Sequence, residues 1–153
     1  MAEAALQGVR VLELSEGIAG PFCTRLLASY GAEVIKVEKP AMGDITRKVG
    51  PFPNDIPHPE KSALFLNLNI DKKGVTLSLE KAAGRKILKE LVQRADILVE
   101  GFQPGQMADW GLTYEGLEKV NPKLIVTSIT PFGQTGPYRH YKSSSAVLDA
   151  ISG

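Results

Sequence analysis

Residues 8–38 constrain the fold more than any other part of this chain. The segment begins with valines and leucines that are typical of a strand buried on at least one face. Pro21 then suits the first turn of a helix, where its missing N–H is not needed, and Gly31 ends that helix after a run of apolar residues at helical spacing. The last six residues predict a second strand with Val34 inward and charged side chains outward. Strand, loop, helix and strand together predict a parallel β-α-β unit that presents its connecting loop to a ligand.

The same alternation of strands and helices continues after this unit. Further elements are predicted as strands at 75–79, 96–100 and 123–129, and as helices at 82–95, 104–110, 113–120 and from 143 onward. The proline- and glycine-bearing residues 39–61 are predicted to form a long ordered loop or a mobile flap, and loops of that length usually serve a function. We therefore expect an α/β fold, a Rossmann-like doubly wound parallel sheet.

Composition and charge exclude several classes of function. The 153 residues suit one domain, and 18 basic against 17 acidic side chains argue against a general affinity for nucleic acid or membrane. No apolar run approaches the roughly 18 to 20 residues of a membrane span. The single cysteine, Cys23, and the absence of a signal-like N-terminus favour a cytoplasmic location. His58 and His140 have no second ligand at metal-binding spacing, so no metal is expected.

Five loops are candidates for ligand binding, because ligands of open parallel sheets bind at the carboxyl ends of the strands. They begin at Ser15, Lys39, Glu80, Gly101 and Thr130. Gly17 and Gly20 match neither the glycine-rich dinucleotide fingerprint nor the phosphate-binding P-loop spacing. A nicotinamide-dependent dehydrogenase is therefore unsupported.

Seven short motifs occur in one order along the chain. They are Gly8–Leu14, Ala19–Pro21, Gly31–Glu38, Gly43–Arg47, Ala95–Glu100 with Phe102 and Pro104–Gly105, Asn121–Pro122, and Phe132–Tyr138. In this order they resemble the family III CoA-transferases, the CaiB/BaiF or carnitine and bile-acid type, over nearly the whole chain. The resemblance implies that residues 1–153 are the N-terminal part of a CoA-binding large domain, without the smaller domain and the C-terminal return. Full-length proteins of this kind are expected to have roughly 400 residues and to form interlocked homodimers.

The resemblance also implies a reaction between acyl-CoA and a carboxylic acid acceptor. An aspartate attacks the acyl-CoA thioester to give a mixed anhydride, from which CoA thiolate restores an activated carboxyl group. That aspartate is expected beyond Gly153, so this chain has no catalytic residue of its own and is expected to be inactive alone.

The family's CoA-contacting positions fall on eight residues, which are Ile18, Ala19, Lys39, Leu77, Gly101, Phe102, Gln103 and Thr130. The resemblance places Lys39 near the adenosine phosphate and Leu77 in the third strand. Three positions depart from the family pattern: Gly101 where asparagine is common, Asp109 where arginine is common, and Ser145 where an acidic residue is usual.

Alternatives to this interpretation remain open at the level of sequence. Lys39, Arg47, Lys72 and Lys73 are equally compatible with solvated surface charges, and Phe102 with a core aromatic. The chain is also compatible with a catalytically inert family member that acts as a binding or interaction module. A racemase of the α-methylacyl-CoA type is disfavoured, because its His-Asp pair would fall on 144–145, where this chain has two serines.

Overall fold

A computed structural model describes residues 4–153 and contains one sheet of five parallel strands in the order β3-β2-β1-β4-β5. The strands are β1 Arg10–Leu14, β2 Glu33–Glu38, β3 Lys72–Thr76, β4 Ile97–Glu100 and β5 Ile125–Ser128. The helices are α1 Ala19–Ser29, α2 Ala63–Leu68, α3 Ala82–Val92, α4 Gln106–Asp109, α5 Tyr114–Val120 and α6 Ser145–Ser152. The central position of β1, with the chain winding outward in both directions, confirms the predicted doubly wound fold.

Local signals placed most of these elements correctly. The first helix ends where predicted, with Gly31 at φ +98°, a conformation that a glycine adopts without steric cost. Side-chain oxygens cap two predicted helices, since Thr113 accepts from the N–H of Gly116 and Ser144 from that of Val147.

The third strand was predicted in the wrong place. It runs over Lys72–Thr76 instead of residues 75–79, because its register is set by pairing with β2, where Val34 lies opposite Lys72. Leu77 therefore follows the strand, although its N–H still donates to the carbonyl of Glu38 at 3.0 Å. Helix α2 was not predicted at all, and residues 39–61 contain two short 3₁₀ turns, Ile45–Lys48 and Pro53–Asp55.

The two faces of the sheet have different cores. Leu12 and Leu14 of β1 point to the face covered by α3 and α5, where Leu88, Leu98 and Leu117 are at most 1% exposed. We call this side the leucine face. Within α3, Ile87 is 47% exposed, whereas its neighbour Leu88 is completely buried.

The other side of the sheet is covered by α1, and we call it the mixed face. Its amino end is apolar, with Val11 and Val34 packed against Ala28 of α1. Helix α1 approaches closely, because a Cβ on Gly20 would lie only 2.1 Å from the Ser15 hydroxyl oxygen. Leu27 of α1 packs against this core, whereas Phe22 and Leu26 point away from the sheet and are 45% and 44% exposed. Among residues 4–153 no helix is long and apolar enough to cross a membrane.

Candidate functional site

A groove with a cavity volume of about 210 Å³ lies where the carboxyl ends of β1, β2 and β4 meet the segment that follows β3. Its walls are largely apolar and include Leu14, Val37, Met42, Leu77, Leu79, Phe102 and Trp110. The rings of Phe102 and Trp110 meet edge to face, with centroids 5.0 Å apart and planes at 80°. Such a wall suits a planar or partly apolar ligand group.

Charged residues surround the apolar walls of the groove. Lys39 and Lys81 are its exposed cations, and Glu16, Glu38 and Glu80 are its acids. Glu38 is already neutralised, because the Arg47 guanidinium donates to both of its carboxylate oxygens, at 2.7 and 2.8 Å. Lys39 and Lys81 take part in none of the ion pairs among residues 4–153, so both are available to an anionic ligand group at the edge of the groove.

A buried set of charges lies behind the groove on the mixed face. Glu13, at 0% exposure, accepts from Lys36 Nζ at 2.9 Å and from Lys72 Nζ at 2.8 Å. The hydroxyl of Thr24 donates to the same carboxylate at 2.7 Å, and Lys36 Nζ also donates to the carbonyl of Ser15 at 2.9 Å. Burial lowers the pKa of Lys72 more than Glu13 raises it. The sequence-based expectation that β2 carries its charges outward was wrong for Lys36, which is 2% exposed.

Two carboxylates continue this set of charges into the long loop. Asp44 forms an ion pair with Lys36 Nζ at 2.8 Å, and its N–H donates to Glu38 at 2.8 Å. Burial acts to raise the pKa of both carboxyl groups, yet both lie below the ordinary range. Lys36 and Thr46 outweigh burial at Asp44, and Arg47 outweighs it at Glu38. Glu38 in turn raises the pKa of Arg47.

The structure brings three of the eight predicted site residues together in the groove, namely Lys39, Leu77 and Phe102. Gln103 lies in a neighbouring cleft with Glu100, whose carboxylate accepts from the N–H of Phe102 at 2.7 Å and from Gln134 Nε2 at 3.3 Å.

The remaining predicted residues do not line the groove. Ile18 and Ala19 are exposed at the start of α1. Thr130 follows β5, and its buried hydroxyl oxygen has no hydrogen-bond partner in the described part of the chain. Gly101 lies against Ser15, and a Cβ there would approach the Ser15 Cβ to 3.2 Å, so a larger residue would require Ser15 to shift slightly.

Sequence reasoning missed Lys81, Met42 and Trp110 as groove residues. A signal for Lys81 was present, because it belongs to the loop beginning at Glu80 at the carboxyl edge of the sheet. Asp109, which stands where the family has an arginine, is exposed at the end of α4 and is not among the groove-lining residues. Residues 4–153 contain no cluster of three or more His, Cys, Asp or Glu side chains that could hold a metal ion.

Comparison with known proteins identifies the class to which this fold and groove belong. The model of CoA-transferase family III matches residues 6–153, and the chain is a partial domain of that family. A crystal structure of a CAIB/BAIF family protein from Brucella suis superimposes with a TM-score of 0.87 at 36% identity. That match covers 98% of this chain and 39% of the other. The predicted family and the Rossmann-like α/β fold are thus confirmed.

Curated relatives narrow the chemistry of the family. The mouse succinyl-CoA:glutarate CoA-transferase is 44% identical over 97% of this chain, and the acetyl-CoA:oxalate CoA-transferase of Acetobacter aceti is 41% identical over 95%. The succinyl-CoA–L-malate CoA-transferase β subunit of Chloroflexus aurantiacus is 40% identical over 97%. This chain spans 33% to 36% of the length of these three proteins. All three are acyl-CoA:carboxylate CoA-transferases by name, and the family implies acyl-CoA as a substrate.

Proposed function

We propose that residues 1–153 are the CoA-binding part of an acyl-CoA:carboxylate CoA-transferase. The observation that carries this proposal is the groove at the carboxyl edge of the sheet, where Lys39, Leu77 and Phe102 lie together in a chain of this family. Apolar and aromatic walls suit the adenine ring, and Lys39 suits a phosphate of the adenosine moiety. Ile18, Ala19, Gly101, Gln103 and Thr130 contact other parts of CoA in this proposal.

The proposed reaction proceeds through a covalent aspartyl intermediate. A carboxylate of an aspartate attacks the thioester carbonyl, the C–S bond breaks, and CoA leaves as the thiolate while a mixed anhydride forms. The aspartate belongs to a part of the protein outside this chain. This chain then binds and orients the CoA moiety, while the carboxylic acid acceptor is bound elsewhere. Homodimer formation, which rests on the family resemblance, and a cytoplasmic location, which rests on the single cysteine, belong to the same proposal.

Calorimetric titration tests the binding function directly. We expect this chain to bind CoA, and Lys39→Ala to bind it roughly tenfold more weakly, the effect of losing one charged hydrogen bond of about 1.5 kcal/mol. Lys123→Ala is the matched control, because Lys123 is an exposed lysine next to the amino end of β5, at the opposite edge of the sheet. Dephospho-CoA lacks the 3′-phosphate, so the unmodified chain and Lys39→Ala should bind it with the same affinity. Failure of the unmodified chain to bind CoA would sink the proposal.

Mass spectrometry after incubation with acetyl-CoA tests the location of the nucleophile. The proposal expects no acyl adduct on this chain and no CoA transfer to succinate. An acyl adduct on an aspartate or glutamate of residues 1–153 would show that the nucleophile lies within the chain.

A further inference from the structure

Asp44 lies at the centre of a motif, residues 43–47, that the proposed CoA site leaves without a role. Its side chain is completely buried. Oδ1 accepts from the N–H and hydroxyl of Thr46 at 2.8 and 2.7 Å, and from the N–H of Gly17 at 3.3 Å. Oδ2 lies 2.8 Å from Lys36 Nζ as an ion pair. One carboxylate therefore joins the β1–α1 loop, strand β2 and the long loop.

The long loop returns to the end of β2 immediately before Asp44. The N–H of Gly43 donates to the carbonyl of Lys39 at 3.0 Å, and the N–H of Asp44 donates to Glu38 at 2.8 Å. Gly43 has φ +62°, and a Cβ there would lie 2.8 Å from Arg47 Cδ, so a glycine fits where larger residues are strained. The turn that this hydrogen bond closes, residues 39–43, supplies Lys39 to the groove.

We propose that Asp44 is a positioning residue of the CoA groove. By joining Gly17 to the long loop, it holds in one arrangement the two loops that supply Glu16 and Lys39 to the groove. Hydrogen bonds to a buried carboxylate are stronger than those between neutral groups, so a single residue can hold both loops. A preformed groove binds more tightly, because the ligand does not have to order the loops first. This inference rests on the proposed function for its ligand.

The test compares Asp44→Asn with Asp55→Asn. The first variant keeps nearly the same volume and removes the charge, whereas Asp55 undergoes the same change at an exposed position in the same loop. For Asp44→Asn we expect faster amide hydrogen exchange at Gly17 and Thr46, with exchange in β4 unchanged. The Kd for CoA should rise about tenfold, as it does when the binding-ready arrangement is populated one time in ten. Asp55→Asn should show neither effect.

A second variant keeps the inference testable if Asp44→Asn does not fold. Thr46→Val removes the hydroxyl donor to Asp44 and retains the ion pair with Lys36, so the protein should fold and show a smaller increase in exchange at Gly17. Unchanged exchange at Gly17 in the folded variants overturns the inference, as does an increase spread evenly over the sheet. Unchanged CoA affinity despite faster loop exchange also overturns it.

The exchange measurement distinguishes this inference from the proposed function, because it is made without CoA. If the unmodified chain binds no CoA, the proposed function fails, and the exchange at Gly17 still decides whether Asp44 holds the two loops together.

Discussion

The two faces of the sheet are built on different physical principles. The leucine face is closed by α3 and α5 over fully apolar side chains such as Leu88 and Leu98. The mixed face is apolar where β1 and β2 begin but carries Glu13 and Lys36 further along these strands, beneath α1, and the Lys72 ammonium reaches Glu13 from the first residue of β3. Apolar packing is non-directional, whereas each buried ion pair requires its two partners at hydrogen-bonding distance, and the pairs on this face join β1, β2, β3 and the long loop.

The buried charges of the mixed face are equal in number and opposite in sign. Two buried carboxylates, Glu13 and Asp44, face two lysines, Lys36 and Lys72, and each lysine lies within 2.9 Å of a carboxylate oxygen. Such a set adds little net stability compared with apolar packing, but removal of one member leaves an uncompensated charge. We therefore expect single substitutions on the two faces to lower the free energy of unfolding for different reasons: an uncompensated buried charge on the mixed face and a cavity on the leucine face.

The largest effect is expected for Glu13→Ala. It leaves Lys72 without its carboxylate partner in the core, so we expect a loss of about 3–5 kcal/mol in the free energy of unfolding, measured by urea denaturation.

Leu88→Ala on the leucine face should lower the free energy of unfolding by about 2–5 kcal/mol, because apolar contacts are lost and a cavity is left behind.

Double variants sharpen this comparison. Adding Lys72→Met to Glu13→Ala should cost clearly less than the sum of the two single changes, because both remove the same ion pair. Adding Leu88→Ala to Glu13→Ala should instead be additive within about 0.5 kcal/mol, since the two residues lie on opposite faces. Additivity in the first pair would show that the charged set does not act as a unit.

An intermediate loss in the free energy of unfolding is expected when the pH is lowered. The pKa values of Asp44 and Glu38 are depressed in the fold, since Lys36, Arg47 and the hydrogen bonds to the two carboxylates outweigh burial. Their contribution is therefore fully present above the ordinary carboxyl pKa of about 4 and is lost as pH falls through the lower values of the folded state. Urea denaturation between pH 7 and pH 3 should show stability falling at the acid end. Asp44→Asn should flatten that dependence, and an unchanged pH profile in that variant would contradict the assignment.

The smallest effect is expected at the exposed edge of the sheet. Lys73 Nζ lies 2.6 Å from Glu33, but the two side chains are 70% and 44% exposed. Water and salt screen this pair, so Lys73→Ala should leave the denaturation midpoint unchanged within error. A shift as large as that of Glu13→Ala would remove the distinction between buried and exposed pairs in this sheet.

Local sequence determined the succession of elements in this protein. Runs of valine, leucine and isoleucine indicated β1, β2 and β4. Gly31 marked the end of α1 through its backbone freedom, and Thr113 and the serines before α6 marked the starts of α5 and α6 through side-chain capping. These signals act within a few residues, so they can be recognised without the fold. The motifs, in their order, were also sufficient to predict the family.

Tertiary structure alone decided the features that depend on residues distant in the chain. Pairing with β2 shifted β3 to Lys72–Thr76, and Glu13 met Lys72 across 59 positions of sequence. Lys36 and Lys72 had the same sequence signature as solvated lysines, because burial of a charge depends on the partners that the fold brings near it. The groove was decided in the same way: Lys39, Leu77 and Phe102 come from three separate crossovers and become neighbours at the carboxyl edge of one parallel sheet.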